Sequence, residues 1–435
     1  MRIKELKSDF VKSVLTLMTG TVIAQLIAYL IYPVLTRIYS TADMGELGVY
    51  TRLVAFIAAF ATARYEATLP VAKQDNHAFS LYRLSFRISL VVLTAVFLIG
   101  LSYYMLKPYN FSNYVFLVVS VLSAYVSVWI NLGTNWSVRK KLFRQISIQR
   151  MVNSVSVNSL RLVFGLLNWG SFGLIFGTLL GSFLSIFAFV RTFLSNKKGD
   201  TSVSDLKRMR VLAKNYKSYP TVYLPHVLLD LGVDLALAAF IVEFYGKGTF
   251  GSYSYAYLML KLPLSLFGQS LGQVFFNKSS ELVHKKQAVY PLTLKTLLTL
   301  FYISIIPFTV LFFFGSDLFG FVFGEKWREA GRIAEILSPA LMLNFIVSPI
   351  SSLSLVLSKQ KLMFGFGIIV AFFQLFNFGV LPVLLNVMGK LQLTGPGFDS
   401  FHWILGFNSV LLSIIYLIII VLFLKLTKTM QTDEA

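Results

Sequence analysis

Three polar side chains, His226, Asp230 and Asp234, follow one another at successive helical turns in the apolar run Pro220–Phe244. At about 100° per residue they share one face within roughly 80°. Two carboxylates one turn apart repel, and keeping both charged in a membrane helix costs several kcal/mol. A proton, a bound cation or a basic partner must offset that cost. Lys261, in the next apolar run, is the nearest basic candidate. Asp230, Asp234 and Lys261 therefore read either as an ion- or proton-coupling site or as a structural Asp–Lys pair between neighbouring helices. His226, at the start of its run, reads as an interfacial hydrogen-bonder.

The other charges singled out inside apolar stretches are basic except for Glu66. Arg52, Arg64 and Glu66 lie in one run and Arg161 in another. Around Arg161 the residues Ser154, Asn158, Gly165 and Asn168 fall within roughly 80° on a helix, a polar stripe of the kind that walls a cavity. A guanidinium stays charged when desolvated and binds phosphate through two parallel hydrogen bonds. Arg52, Arg64, Arg161 and Asn158 are thus candidates for holding an anionic headgroup. Two of them have plainer alternatives: Arg64 pairs with Glu66, and Arg52 snorkels to the membrane surface. Gly173, Gly177 and Gly181 form a ridge that lets another helix approach closely.

These groups need a membrane scaffold to position them. The 435-residue chain is 56% hydrophobic and 13% charged, against about 25% charged for a soluble protein. The pattern is an all-α polytopic membrane protein. Apolar runs long enough to span fall at 13–36, 47–70, 84–106, 112–136, 150–169, 171–194, 219–243, 251–276, 291–315, 333–357, 362–388 and 401–425, about twelve transmembrane helices. The first is read as an uncleaved transmembrane helix rather than a signal peptide. With no cysteine, disulfides and thiol chemistry are excluded. No phosphate-binding loop, HExxH or catalytic-triad pattern occurs, so no enzyme and no cofactor is expected, beyond a coupling ion.

The net charge of +20 would point to nucleic acid in a soluble chain, but in a membrane protein it marks basic cytoplasmic loops; no nucleic-acid partner is expected. Lys and Arg cluster in alternate loops, as at Arg139, Lys140, Lys141 and Arg144, whereas the intervening loops hold only Arg37, Lys107, Lys247, Lys326, Arg328, Arg332 and Lys390. That bias puts both termini in the cytoplasm. The basic stretch 195–217 divides the chain into a six-helix lobe over 1–194 and a second over 218–435. The lobes echo one another: Tyr39 and Gly45 have the spacing of Tyr245 and Gly251. A repeat of six helices keeps its orientation, which implies two lobes about an axis along the membrane normal with a cavity between them.

The segment Gly20–Lys73, which contains the Tyr39–Gly45 loop, resembles the amino-terminal signature of bacterial polysaccharide repeat-unit flippases of the multidrug/oligosaccharidyl-lipid/polysaccharide (MOP) exporter superfamily. The run FGEKWREAG (Phe323–Gly331), the Ser338-Pro339 pair and Leu357–Gln360 are similar to a second family block. The resemblance implies two six-helix lobes forming a V-shaped central cavity that alternates access. It implies an O-antigen- or capsule-type substrate, an undecaprenyl-pyrophosphate-linked glycan, moved across the bacterial inner membrane for lipopolysaccharide or related synthesis. Membrane lipid, a polysaccharide polymerase and a chain-length regulator are the implied partners. In this family amino-terminal arginines contact the headgroup, which maps by helix and residue type onto Arg52, Arg64 and Arg161. A related lipid II flippase has a sodium site between helices 7 and 11; Asp230 or Asp234 with Asn377 would be the counterpart, leaving Na+ or H+ as the coupling ion.

Two other readings compete. A cation-coupled multidrug exporter of the same fold would want an acidic, aromatic cavity, against which three intramembrane arginines argue. A membrane glycosyltransferase or polymerase would need a large outer loop with catalytic residues, and the spans leave no room for one.

Overall fold

The computed structural model describes residues 2–106, 111–195, 204–357, 359–390 and 399–432, with side chains described over 19–106, 111–190, 206–261, 271–357, 359–388 and 399–428. Every regular element among them is helical. In hydrocarbon a backbone must satisfy its own polar groups, and a helix does so within one segment. Nine helices among the described residues are long and apolar enough to cross a membrane.

The chain begins with α1 (Arg2–Ile38), α2 (Thr41–Ala61), α3 (Asp75–Met105), α4 (Phe111–Arg139), α5 (Phe143–Leu166) and α6 (Gly170–Ser195). A short helix, α7 (Ser204–Asn215), lies within the basic stretch and leads to α8 (Leu224–His284). Then come α9 (Tyr290–Phe323), α10 (Arg328–Ile350), the single turn α11 (Leu353–Val356), α12 (Gln360–Leu375), α13 (Leu381–Lys390) and α14 (Ser400–Thr432).

Three differences from the expected spans have local causes. The second span ends early, because Ala63 and Arg64 take left-handed backbone angles (φ 49° and 61°) after Ala61, and a 3-10 turn over Tyr65–Val71 follows. The seventh and eighth spans follow one another without a loop, as two helical segments of α8 that meet at a kink at Gly246, whose φ of 86° favours glycine. A π-helical turn, Phe376–Val380, joins α12 to α13.

The chain packs into two compact units: Met1–Tyr39 with Glu46–Leu235, and Ser40–Gly45 with Ala236–Ala435. In the first, α5 lies along both α1 and α6, while α4 packs on α3 and α6. Leu69, Leu81, Leu93, Leu132 and Trp136 fill the core between the 3-10 turn, α3 and α4. Arg139 ties this end together, donating to the carbonyls of Leu69 (3.0 Å) and Ala72 (2.6 Å) and pairing with Asp75 at 2.8 Å. α7 docks on α3 through buried Met209 and Leu212, and the Tyr65 hydroxyl donates to the Ala213 carbonyl.

In the second unit α10 packs on α9 and α14 around Leu300, Phe345, Ile350, Leu353, Ile419 and Phe423. Phe313, Phe321 and Val421 point outward and are exposed, as lipid-facing side chains must be. The segment Ser40–Gly45 also belongs here. Ser40 caps α2 reciprocally with Asp43: the Ser40 N–H donates to the carboxylate at 2.9 Å, and the Asp43 N–H to the Ser40 hydroxyl at 3.1 Å.

Gly45 and Gly251 meet backbone to backbone. A Cβ on Gly251 would overlap the Thr41 carbonyl and lie 2.9 Å from the Gly45 nitrogen; one on Gly45 would overlap the Lys247 carbonyl and lie 3.2 Å from the Gly251 nitrogen. Thr41 stands two residues after Tyr39, as Lys247 stands two after Tyr245. The contact is therefore reciprocal, each repeat copy offering its glycine to the other's carbonyl. That is a local two-fold relation, and it explains why the sequence keeps both glycines at one spacing. Gly45→Ala and Gly251→Ala should each destabilise the protein by about 1–3 kcal/mol through overpacking. Gly365→Ala and Gly406→Ala, with nothing within 4 Å of the added carbon, should be near neutral. Thermal unfolding of the purified variants in detergent checks both.

Candidate functional site

Arg161 is the buried charge around which the first unit is arranged. The polar stripe of α5 faces α1 and α6, where Ser154 donates to the Ala24 carbonyl and Arg161 to Thr178, while Ile148, Val155 and Val163 on its other side are exposed. The ridge on α6 makes this close. A Cβ on Gly177 would stand 2.8 Å from the Arg161 nitrogen, and one on Gly181 would stand 2.5 Å from Val157 Cα. With the two backbones in contact, the Arg161 side chain reaches Thr178 between those glycines.

Arg161 is 8% exposed, and its guanidinium donates from Nε (3.1 Å) and Nη2 (2.8 Å) to the Thr178 hydroxyl, which donates in turn to the Leu174 carbonyl at 2.6 Å. Tyr32 on α1 hydrogen-bonds the guanidinium, and the Tyr39 hydroxyl donates to the Arg161 carbonyl at 2.6 Å. Tyr50 on α2 lies within electrostatic reach of Arg161 and bonds Ser123 on α4. No acidic side chain pairs with Arg161 among the described residues. A buried cation held by phenols and a hydroxyl keeps most of its charge unanswered, and in a low-dielectric surrounding an anion answers it best.

Asn158 lies one turn before Arg161, 4% exposed, with its Nδ2 donating to the Ser154 carbonyl at 2.8 Å and its Oδ1 unmet. Of the polar stripe, Ser154, Asn158, Arg161 and Gly165 stay on α5, while Asn168 falls in the left-handed turn after it (φ 58°).

The other arginines are engaged elsewhere. Arg52, half-buried on α2, donates to the Gly48 carbonyl at 3.1 Å. Arg64, beyond the far end of α2, pairs with Glu66 at 3.2 Å and stacks on Tyr223 at 5.1 Å. α2 spans 21 residues, about 30 Å of helix, so Arg64 is remote from Tyr39 and Arg161.

On α8, His226 pairs with Asp230 at 3.5 Å, and both side chains are more than half exposed. Asp234, a turn further, is exposed too. Both acids belong to the first unit. Lys261 belongs to the second, where it stacks on Tyr257 at 5.0 Å. Asn377, also in the second unit, is fully buried in the π-helical turn, and its Nδ2 donates to Asn408 Oδ1 at 3.2 Å. No cluster of three or more acidic or histidine side chains fit for a metal ion occurs among the described residues.

Sequence reasoning left out Tyr32, Tyr50 and Thr178. Tyrosines in an apolar chain read as packing or lipid contacts, and their only distinguishing signal is spacing: Tyr32 and Tyr39 lie two turns apart on α1 and at its end. Thr178 announces itself more clearly, as the hydroxyl set beside Gly177 in the ridge.

The model of the family described as "Polysaccharide biosynthesis protein" matches residues 34–332. No curated protein matches the chain in sequence. Among solved structures, the lipid II flippase MurJ in an inward closed conformation superposes with a TM-score of 0.64 at 14% identity, covering 97% of this chain and 91% of that one. An inward-facing multidrug resistance MATE transporter of the MOP superfamily gives 0.57 at 12% identity over 95% and 100%. A MOP-superfamily transporter from Pyrococcus furiosus, described as having a binding pocket of reversed polarity, gives 0.53 at 10% over 97% and 96%. The chain therefore belongs to the polysaccharide biosynthesis protein family, and it shares its fold with the MurJ flippase and the MATE transporter.

Proposed function

We propose that this protein flips undecaprenyl-pyrophosphate-linked oligosaccharide repeat units from the inner to the outer leaflet of the bacterial cytoplasmic membrane, by alternating access and without covalent change. Arg161 carries the reading. It is a buried guanidinium, held by Thr178 and Tyr32, with no carboxylate partner among the described residues. An organic cation would be repelled there, whereas a pyrophosphate would gain charge-assisted hydrogen bonds. Family membership supports a glycan pathway, and the fold supports transport. The distribution of basic loops supports cytoplasmic termini.

Arg161 would hold the phosphate, while Thr178 and Tyr32 fix the plane of the guanidinium. The polyprenyl tail, being hydrocarbon, needs no protein site and can stay in the bilayer. Energy would enter at Asp230 and Asp234, where two carboxylates one turn apart relieve their repulsion by taking up a proton or Na+.

Arg161→Gln should reduce surface glycan at least tenfold in a complementation assay while the protein remains in the membrane by immunoblot, since a charged hydrogen bond is worth about 1.5–3 kcal/mol. Full complementation would end the headgroup assignment. Asp230→Asn and Asp234→Asn should weaken the dependence of transport on a proton or sodium gradient in proteoliposomes; unaltered dependence in both would remove these residues from coupling.

A further inference from the structure

The short helix α7 turns an apolar side to the protein and a basic side outward. Met209 and Leu212 are buried on α3, where the Arg87 guanidinium donates to Met209 Sδ at 3.6 Å. Leu212 joins the core of Leu69, Tyr82 and Trp136, and the Ala213 carbonyl accepts the Tyr65 hydroxyl at 3.1 Å. At about 100° per residue, Met209, Leu212 and Ala213 make one face and Lys207, Arg210, Val211 and Lys214 the opposite one. Those four are exposed, as is Leu206 at the edge. Over 204–217 five residues are basic (Lys207, Arg208, Arg210, Lys214 and Lys217), and one, Asp205, is acidic. Among the described residues none of the five bases is in an ion pair.

The helix is fastened at the level of the membrane surface. Arg87 lies one turn inside the apolar run 84–106, so α7 sits where α3 enters hydrocarbon. Its bases are then within a Debye length, about 8–10 Å, of the lipid phosphates. Leu206 and Val211, 57% and 59% exposed, stand among those bases. Water disfavours such side chains, whereas the boundary between headgroups and acyl chains accepts them and lets Lys and Arg stems reach the phosphates. A nucleic acid answers the charge but not the apolar pair. An acidic protein has to reach a surface already bordered by headgroups.

We propose that the outward face of α7 binds anionic phospholipid headgroups of the surrounding bilayer through Lys207, Arg210 and Lys214, with Val211 seated beneath them. The surface is separate from Arg161 and stands whether or not that residue holds the substrate. α7 leads to α8 through Tyr216, Tyr219 and Tyr223, whose rings touch in series with centroids 6.2 and 5.9 Å apart, and Tyr223 carries the Arg64 guanidinium. An anionic leaflet that holds α7 therefore also holds the start of the helix bearing Asp230 and Asp234.

The chain has no cysteine, so Val211→Cys accepts a single thiol-reactive fluorophore in the full-length protein. The labelled protein is placed in phosphatidylcholine vesicles holding equal small fractions of spin-labelled phosphatidylglycerol or spin-labelled phosphatidylcholine, and quenching is compared. One base near an anionic surface is worth about fivefold in association. Phosphatidylglycerol should therefore quench at least about threefold more strongly than phosphatidylcholine. Adding Lys207→Gln, Arg210→Gln and Lys214→Gln together should bring the two lipids to near equality. In the protein that keeps all three bases, raising the salt should shrink the ratio, a readout that does not depend on the triple variant folding. Equal quenching by the two lipids, or a preference that survives the triple substitution in a folded variant, overturns the proposal. Quenching by aqueous iodide but by neither lipid also overturns it, and assigns the face to a soluble acidic partner instead.

Discussion

The buried guanidinium of Arg161 is the constraint to which the first unit is fitted. A charge at that depth is costly unless it is answered, and the fold surrounds it with polar groups that orient it without neutralising it. Thr178 and Tyr32 hold the side chain, Tyr39 holds its backbone carbonyl, and Tyr50 stands within electrostatic reach. This arrangement requires α5 and α6 to touch backbone to backbone, and the α6 glycines allow it. Packing and electrostatics are here one problem: widen the α5–α6 seam by a methyl group, and Arg161 moves away from Thr178.

The repeat supplies a second close contact. Gly45 and Gly251 occupy equivalent positions in the two halves and each accommodates the other half's carbonyl. A duplicated sequence produces such reciprocity only when equivalent segments meet about a local two-fold. The shared spacing does not extend to chemistry: in the register that aligns Tyr39 with Tyr245, Asp230 and Asp234 correspond to Ala24 and Ala28, while Arg52 corresponds to Leu258. The halves share a backbone plan and differ in charge, acidic on α8 and basic on α2.

The fold was largely legible from composition and periodicity, because hydrocarbon leaves the backbone few options. Helix ends were less so: α2 stops at Ala61 through left-handed residues at Ala63 and Arg64 that no hydropathy pattern marks. Arg161 and Asn158 were legible as a polar stripe, since an intramembrane charge stands out against its surroundings. Arg64 was legible only as a pair of alternatives, of which the ion pair with Glu66 is the one observed. The phenols around Arg161 were not legible. Their roles depend on which residues of α1 face α5, and that facing is a tertiary fact.

The most direct measurement is a ligand-bound structure of the protein with farnesyl pyrophosphate. The account predicts phosphate density within about 3 Å of the Arg161 guanidinium, the distance of a charge-assisted hydrogen bond, with Thr178 still in contact. Phosphate bound at Arg52 or Arg64 while Arg161 keeps only its protein partners would contradict it.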